Sequence, residues 1–335
     1  MLPSHAVERV AKKLTQVLGE WQLEQSAAGD ARRTPVCGLA ARVLLATALL
    51  LSAARCGGSS DSGTSPTPPS PPFNPTDPVL VGAGDIARCP GGAQSATALL
   101  LDGIGGTVFT TGDNVYDGPT LAKYTECYGQ SWGRHLYRTR PAPGNHDYDA
   151  PGPSAYFEYF GEAAGDPGLG YYSYDVGTWH VIALNSMVPM QAGSSQYLWL
   201  QADLASHPAR CTAAYFHYPL FSSSLNGPTV TVRDLWRLLY DNGADVVLNG
   251  NDHVYERFAP QDPNGRADPV KGIRQFTVGT GGAELYGFGT PAANSEARAS
   301  VHGVLKLSVV SSGYTWEFVP VAGQTFKDSG TGSCH

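Results

Sequence analysis

Basic side chains are scarce in this 335-residue chain: 22 Lys and Arg stand against 29 Asp and Glu, a formal net charge of −7. Residues 1–55 hold 7 of the basic and 4 of the acidic groups, so the remainder carries 15 against 25, or −10. Affinity for nucleic acid rests on neutralising phosphates with Lys and Arg, so no nucleic-acid partner is expected and polyanionic substrates are disfavoured. A small phosphate ester held by metal ions is not. Other signals are also missing. No CxxC spacing exists, which argues against a zinc ribbon. Gly279-Thr280-Gly281-Gly282 lacks the lysine of a phosphate-binding loop and reads as backbone passing near a site. Ser222, Ser223 and Ser224 lack the pattern of a nucleophile elbow. Asp262-Pro263-Asn264-Gly265 lacks the acidic twelfth position of a calcium loop and reads as a turn. There is no internal repeat.

The chain divides by composition into three parts. In residues 1–56, Arg32 and Arg33 precede an apolar stretch at 43–54, too short to span a bilayer and suited to the core of an export signal. The stretch runs into Ala53-Ala54-Arg55-Cys56. This is similar to a bacterial lipoprotein signal, in which the cysteine is lipidated, although Arg55 stands where such signals carry a small residue. The expectation is export, to the bacterial cell envelope on a lipid anchor or free as a secreted protein. A lipid on Cys56 is the only membrane contact expected. Residues 57–78 hold seven prolines and almost no apolar side chains. Such a segment cannot bury enough surface to fold and acts as a spacer. A single globular domain is expected over 79–335.

Within 79–335, β-rich runs alternate with helical patterns. VLVGAGD (79–85) precedes a helical pattern at 93–101, and TVFTTGD (107–113) precedes one at 121–128. A hairpin follows RPAPGNHD, then a helix over SSQYLWLQADLAS, a strand at 211–217, a helix near 232–240 and a strand at 244–250. The alternation predicts parallel strands with covering helices. The β-only tail, GVLKLSVV and YTWEFVPV, is expected to extend a second sheet. The predicted fold class is α/β, two packed β-sheets flanked by helices.

Five of these runs end in ligand chemistry: Gly84-Asp85, Gly112-Asp113-Asn114-Val115-Tyr116, Gly144-Asn145-His146-Asp147, His217 and Gly250-Asn251-Asp252-His253. Parallel strands place their carboxyl ends together, so these side chains are expected to converge on one crevice. Carboxylate, imidazole, amide and phenol in one place suit a pair of cations bridged by a shared carboxylate.

This ordered set, from about Val79 to Arg257, resembles the calcineurin-like metallophosphoesterase superfamily, and in detail its purple acid phosphatase branch. The wider superfamily opens on Asp-x-His, whereas Ala87 stands at the histidine place here. The purple acid phosphatases also lack that histidine and supply a tyrosine three residues after the second aspartate, which is Tyr116 after Asp113. The resemblance implies a first metal held by Asp85, Tyr116 and His253, a bridging Asp113, and a second metal held by Asn145, His217 and Asn251. His146 would face the substrate phosphate and its leaving group. Iron is implied at the first site, and Mn, Mg, Zn or Fe at the second. The family pattern is Gly-His-x-His, so Asn251 replaces a histidine. An amide oxygen still coordinates, but as a hard neutral donor it suits Mg, Mn or Ca better than Zn.

The expected function is exported, metal-dependent hydrolysis of small phosphate esters, chiefly monoesters, through metal-activated water. Two alternatives stay open: a phosphodiesterase of the same fold, or a catalytically weak surface protein binding phosphate or metal. Oligomeric state is not readable from the sequence. Of six cysteines, Cys37 and Cys56 fall in the leader, and Cys89, Cys127, Cys211 and Cys334 allow three connectivities. An oxidising compartment favours pairing. Cys89 follows Asp85 and Cys127 follows the helix after Asp113, so the expected pairs are Cys89–Cys127 and Cys211–Cys334.

Overall fold

Among the described residues thirteen strands form. In chain order they are β1 (Val79–Ala83), β2 (Thr107–Thr111), β3 (Thr139–Ala142), β4 (Tyr172–Val176), β5 (Trp179–Ala183), β6 (Cys211–Tyr215), β7 (Val246–Asn249), β8 (Tyr255–Phe258), β9 (Arg274–Val278), β10 (Ser295–Ala299), β11 (Gly303–Val310), β12 (Gly313–Pro320) and β13 (Asp328–Ser333). The computed structural model describes residues 78–335 except Arg210. The export signal, the lipid site and the proline-rich spacer lie outside the described residues.

Two sheets form, in the orders β13-β12-β11-β1-β2-β3 and β10-β8-β9-β7-β6-β5-β4. Strands β1, β2 and β3 are parallel, as are β5, β6, β7 and β9, while β4, β8 and β11 run against their neighbours. The apolar runs split by alternate residues into different layers, because successive strand side chains point to opposite faces. Leu80, Phe109, Val181, Tyr215 and Leu248 meet Leu305, Leu307 and Trp316 between the sheets. Val81, Ala83 and Val108 turn outward under a layer that includes Leu101, Tyr124, Trp132 and Tyr156. Ile182, Ala214, Phe216 and Val247 turn outward on the other side, under Leu200, Leu235 and Trp236. Burial on both faces is why these strands read as continuous hydrophobic runs rather than an alternation.

The helical patterns fall close to their expected places, at Gln94–Gly103, Ser195–Ser206 and Arg233–Asp241. The segment expected at 121–128 begins as Leu121–Lys123 and continues as a π-helical turn over Tyr124–Tyr128. Ser194 caps the central helix of this set, its hydroxyl accepting from the Tyr197 N–H. Among the described residues, no helix is long and apolar enough to cross a membrane.

Two expectations are corrected. The tail joins the same sheet as β1–β3, with β11 antiparallel to β1 (Leu80 opposite Leu307), instead of extending a separate one. The five ligand-bearing runs also do not share a sheet: β1, β2 and β3 lie in one, β6 and β7 in the other. Apolar strands buried on both faces carry no mark of which sheet they join. Strands β8, β9, β10 and β13 carry weaker signals. Strand β13, DSGTGS, has no apolar residue, and its Gly330 lies under the Trp316 ring, where a Cβ would come within 2.4 Å.

Both disulfides form as expected, Cys89–Cys127 and Cys211–Cys334. The second joins the start of β6 to the residue after β13, tying one sheet to the edge of the other across 123 residues of sequence. Constraining so long a loop in the unfolded chain contributes on the order of 4–5 kcal/mol in the chain-entropy limit. We predict that replacing Cys211 and Cys334 by alanine lowers stability by about 2–5 kcal/mol, measured by urea unfolding. Non-reducing peptide mapping of the unmodified chain should recover both pairs, and a loss under 1 kcal/mol would contradict the structural role given to the second one.

Candidate metal centre

The site lies where the carboxyl ends of β1, β2, β3, β6 and β7 meet at the junction of the two sheets. Beyond β1 and β2 the chain keeps pairing: the Asp85, Ile86 and Ala87 N–H groups donate to the Gly112, Asp113 and Asn114 carbonyls at 3.0, 2.9 and 3.1 Å. This continued ladder holds the two aspartates side by side. Asp85, Asp113 and Asn251 all take left-handed backbone, with φ of 58°, 51° and 65°. Non-glycine residues are uncommon there, and such strain concentrates at functional sites. Space around the carboxylates comes from glycine. A Cβ on Gly144 would stand 2.2 Å from Asp113 Oδ1, and one on Gly112, itself at φ 93°, would stand 2.6 Å from His217 Nδ1.

Six of the eight predicted residues, Asp85, Asp113, Tyr116, Asn145, His217 and His253, have their side-chain polar atoms brought together. The Tyr116 hydroxyl donates to Asp85 Oδ1 at 2.9 Å and lies 2.9 Å from His253 Nε2, which is 3.2 Å from Asp85 Oδ1. A second group has His217 Nε2 3.0 Å from Asn145 Oδ1 and 3.3 Å from Asp113 Oδ2. Asp113 pairs with His217, and its charge also acts on the Tyr116 phenol. Ligand atoms of Asp85, Asp113 and His217 lie within 4.8 Å of one another, all three residues being buried. His146 sits at the rim, its Nε2 4.0 Å from Asp113 Oδ2, its Nδ1 2.7 Å from Asp149 Oδ2, and its ring 4.5 Å from that of Tyr116.

Of the predicted ligands, Asn251 is the exception. Its N–H donates to Asp85 Oδ2 at 3.0 Å, but its side-chain amide donates to Asp252 Oδ1 at 3.1 Å. Asp252 is in turn bonded by the Ser222 hydroxyl, which places the serine run in a supporting network.

The second rank of residues explains the rigidity. His217 Nδ1 is 2.8 Å from the Thr111 carbonyl, and His253 Nδ1 is 2.5 Å from the Glu284 carbonyl, so each imidazole turns Nε2 inward. Tyr286 stacks on the His253 ring at 4.0 Å. Gly279 lets the backbone pass close by, since a Cβ there would stand 2.7 Å from Asp85 Oδ2. Asp147 reads in the sequence as ligand chemistry but serves the loops: it accepts from the Asn114 N–H, the Asn114 amide, the Gly144 N–H and the Tyr124 hydroxyl. Nothing local to Asn145-His146-Asp147 distinguishes these roles. The Asp262 turn is as expected, its carboxylate accepting from the Asn264 and Arg266 N–H groups.

The electrostatics ask for cations. Among the described residues, Asp85 and Asp113 form ion pairs with histidines alone. Burial pushes Asp113 up, but the His217 and His146 imidazoles outweigh it and hold its carboxyl below the usual range. Burial lowers His217, and the Asp113 carboxylate more than offsets this, bringing it to about 9. His253 is raised in the same way, burial being outweighed by Asp85. Burial and the two carboxylates push the Tyr116 phenol well above its ordinary value. Burial lifts Asp147 to about 6. Protons on the imidazoles here balance buried negative charge, and the phenol adds none by staying neutral; metal ions would balance that charge more strongly. Two carboxylates, two imidazoles, a phenol and an amide are oxygen and nitrogen donors that fit such ions.

Known proteins share parts of this sequence and its fold. A family model described as calcineurin-like phosphoesterase matches residues 79–255, just over half the chain. The chain is 40% identical over 118 residues to purple acid phosphatase 21 of Arabidopsis thaliana, a match covering 33% of this chain and 26% of that protein. The match thus spans about a quarter of that relative's length. Among solved structures, the purple acid phosphatase PPD1 of yellow lupin (Lupinus luteus) superimposes with a TM-score of 0.64 at 21% identity, covering 76% of this chain and 53% of that one. GAP50, the anchor in the inner membrane complex of Plasmodium, superimposes at 0.63 with 15% identity, covering 77% and 89%. The fold is therefore shared by proteins of different roles, and the family implies a dinuclear metal centre. The chain belongs to the calcineurin-like phosphoesterase family, and the purple acid phosphatases are the branch of it that this chain resembles.

Proposed function

We propose that this protein is an exported, metal-dependent hydrolase of small phosphate esters, acting chiefly on monoesters. The observation that carries the reading is the buried gathering of Asp85, Asp113 and His217, flanked by Tyr116, His253 and Asn145 at the strand ends. Export is supported by two disulfides, which persist in oxidising compartments.

In this reading Asp85, Tyr116 and His253 hold the first metal, Asp113 bridges, and Asn145, His217 and Asn251 hold the second. When bound, such ions polarise phosphoryl oxygens and lower the pKa of a coordinated water. The protein's own contribution is orientation. Thr111 and Glu284 carbonyls fix the imidazoles, and Asp147 fixes the loops bearing Asp113 and Asn145. His146 is exposed enough to meet substrate. With Nδ1 bonded to Asp149, its Nε2, 4.0 Å from Asp113 Oδ2, is the nitrogen that would hold a proton toward the leaving oxygen. For Asn251, the amide nitrogen is engaged by Asp252, which leaves the carbonyl oxygen for a cation. Its left-handed backbone suits Asn, and His is among the residues that tolerate it.

Turnover of p-nitrophenyl phosphate against its bis-ester, with Mn, Mg, Zn or Fe supplied, tests the reading. Monoester turnover should exceed diester turnover, and the absence of turnover with every metal would reject the enzyme. In Asp113→Ala, activity should fall about a thousand-fold or more and both metals should be lost. Elemental analysis that finds both ions retained would remove Asp113 from the bridging place. Wild type should hold one metal firmly and lose the second on dialysis, with Mn or Mg restoring activity more readily than Zn. Asn251→His should tighten the second metal roughly ten-fold or more, read by titration. No tightening would mean that position 251 is not a ligand. With Fe(III) in the first place, a visible tyrosinate absorption band should appear and be absent from Tyr116→Phe; persistence of the band in that variant would exclude Tyr116.

A further inference from the structure

A second cluster of ligand-type side chains lies at the amino-terminal ends of the strands, the opposite end from the centre described above. His180 is the second residue of β5, and Asp175 on β4 is its cross-strand partner. His180 and Ile182 face the layer formed by the helix Ser195–Ser206, whose last turn supplies Asp203 and, just beyond it, His207. Residues 203 and 207 are four apart and so share one face.

We propose that His180, Asp203 and His207 form a metal site for a single borderline divalent ion, Zn²⁺ being the best match. The ligand atoms of the three lie within 4.8 Å of one another. His180 Nε2 is 2.7 Å from Asp203 Oδ2, and His207 Nδ1 is 3.2 Å from Asp203 Oδ1. The two imidazole rings stack nearly parallel, 4.6 Å apart at 14°, with both edges toward the same carboxylate. A hydrogen-bonded histidine–aspartate pair needs only one imidazole; two converging on one buried carboxylate make a ligand set. Two nitrogens and one oxygen, with a further position open to water, is a recognised zinc arrangement.

The surroundings match what metal-bound histidine and carboxylate require. His180 Nδ1 lies 3.3 Å from Asp175 Oδ1, so a carboxylate orients the ring and presents Nε2 to the ion. The Ser173 hydroxyl donates to Asp203 Oδ1 at 2.7 Å, holding the ligating carboxylate. His180 and Asp203 are buried, whereas the His207 side chain is 49% exposed, which provides an entry path. His207 Nδ1 is also 2.9 Å from the Asp203 carbonyl, a bond it would exchange for the ion. The ion would pin the end of the helix Ser195–Ser206 to the β4–β5 hairpin at the sheet edge. It would act on stability and leave the chemistry alone.

Zinc titration of the full chain, with metal counted by elemental analysis and unfolding followed by a thermal melt, tests the site. Wild type should bind one equivalent more Zn²⁺ than His207→Ala and than the near-isosteric Asp203→Asn. Saturating zinc should raise the melting temperature of wild type roughly 4–8 °C more than that of either variant. His207→Asp, which keeps an oxygen donor, should recover the extra equivalent with weaker affinity. Turnover of p-nitrophenyl phosphate should be equal in wild type and His207→Ala, so failure of this site and failure of the phosphatase reading are separate results. Equal zinc stoichiometry and equal thermal shifts in wild type, His207→Ala and Asp203→Asn would overturn the proposal, as would His207→Asp binding no more zinc than His207→Ala.

Discussion

The structure around the site is organised by one constraint: two carboxylates, Asp85 and Asp113, are buried side by side, with histidines as their ion-pairing partners among the described residues. Burying one unpaired carboxylate is costly, and two adjacent ones repel as well. The protein holds them there by force of backbone. The β1–β2 ladder continues past the strand ends, both aspartates accept left-handed φ, and glycines at 112 and 144 make way for the side chains. Such an arrangement is stable only if positive charge sits in it.

That charge comes from imidazoles, protons or metal ions, and the framework prepares for the last. Each histidine is turned by a main-chain carbonyl, and the loops that carry Asp113 and Asn145 are knotted together by the buried Asp147. Hydrogen bonds within the chain thus fix the orientation of these side chains, which is what preorganised sites require. Asn251 loosens this at one corner. Its amide donates to Asp252 rather than joining the cluster of Asp85, Asp113 and His217.

The rest of the fold serves to keep two sheets in fixed relation, because the donors come from both. The layer between the sheets packs Leu80 and Phe109 of one against Val181, Tyr215 and Leu248 of the other. The Cys211–Cys334 disulfide adds a covalent tie across the same junction, and Cys89–Cys127 braces the loops beside the site. A slip of one sheet against the other would separate Asp85 and Asp113 from His217 and His253.

Much of this was legible in the residues themselves. Strand-ending Gly-Asp, Gly-Asn-His-Asp and Gly-Asn-Asp-His announce donors, and Tyr116 three residues after Asp113 agrees with the missing histidine at Ala87. These are local features, carried by spacing along one strand and its loop. Folding alone decided how the strands divide between two sheets, since strands buried on both faces look alike whichever sheet they join. It also decided that Asp147 braces loops, that Asn251 turns its amide to Asp252, and that β13, with no apolar residue, closes an edge. The gathering of His180, Asp203 and His207 showed in the sequence only as the four-residue spacing of its last two members. Its members sit on a hairpin and a helix end, and only the packing of one on the other brings them within reach.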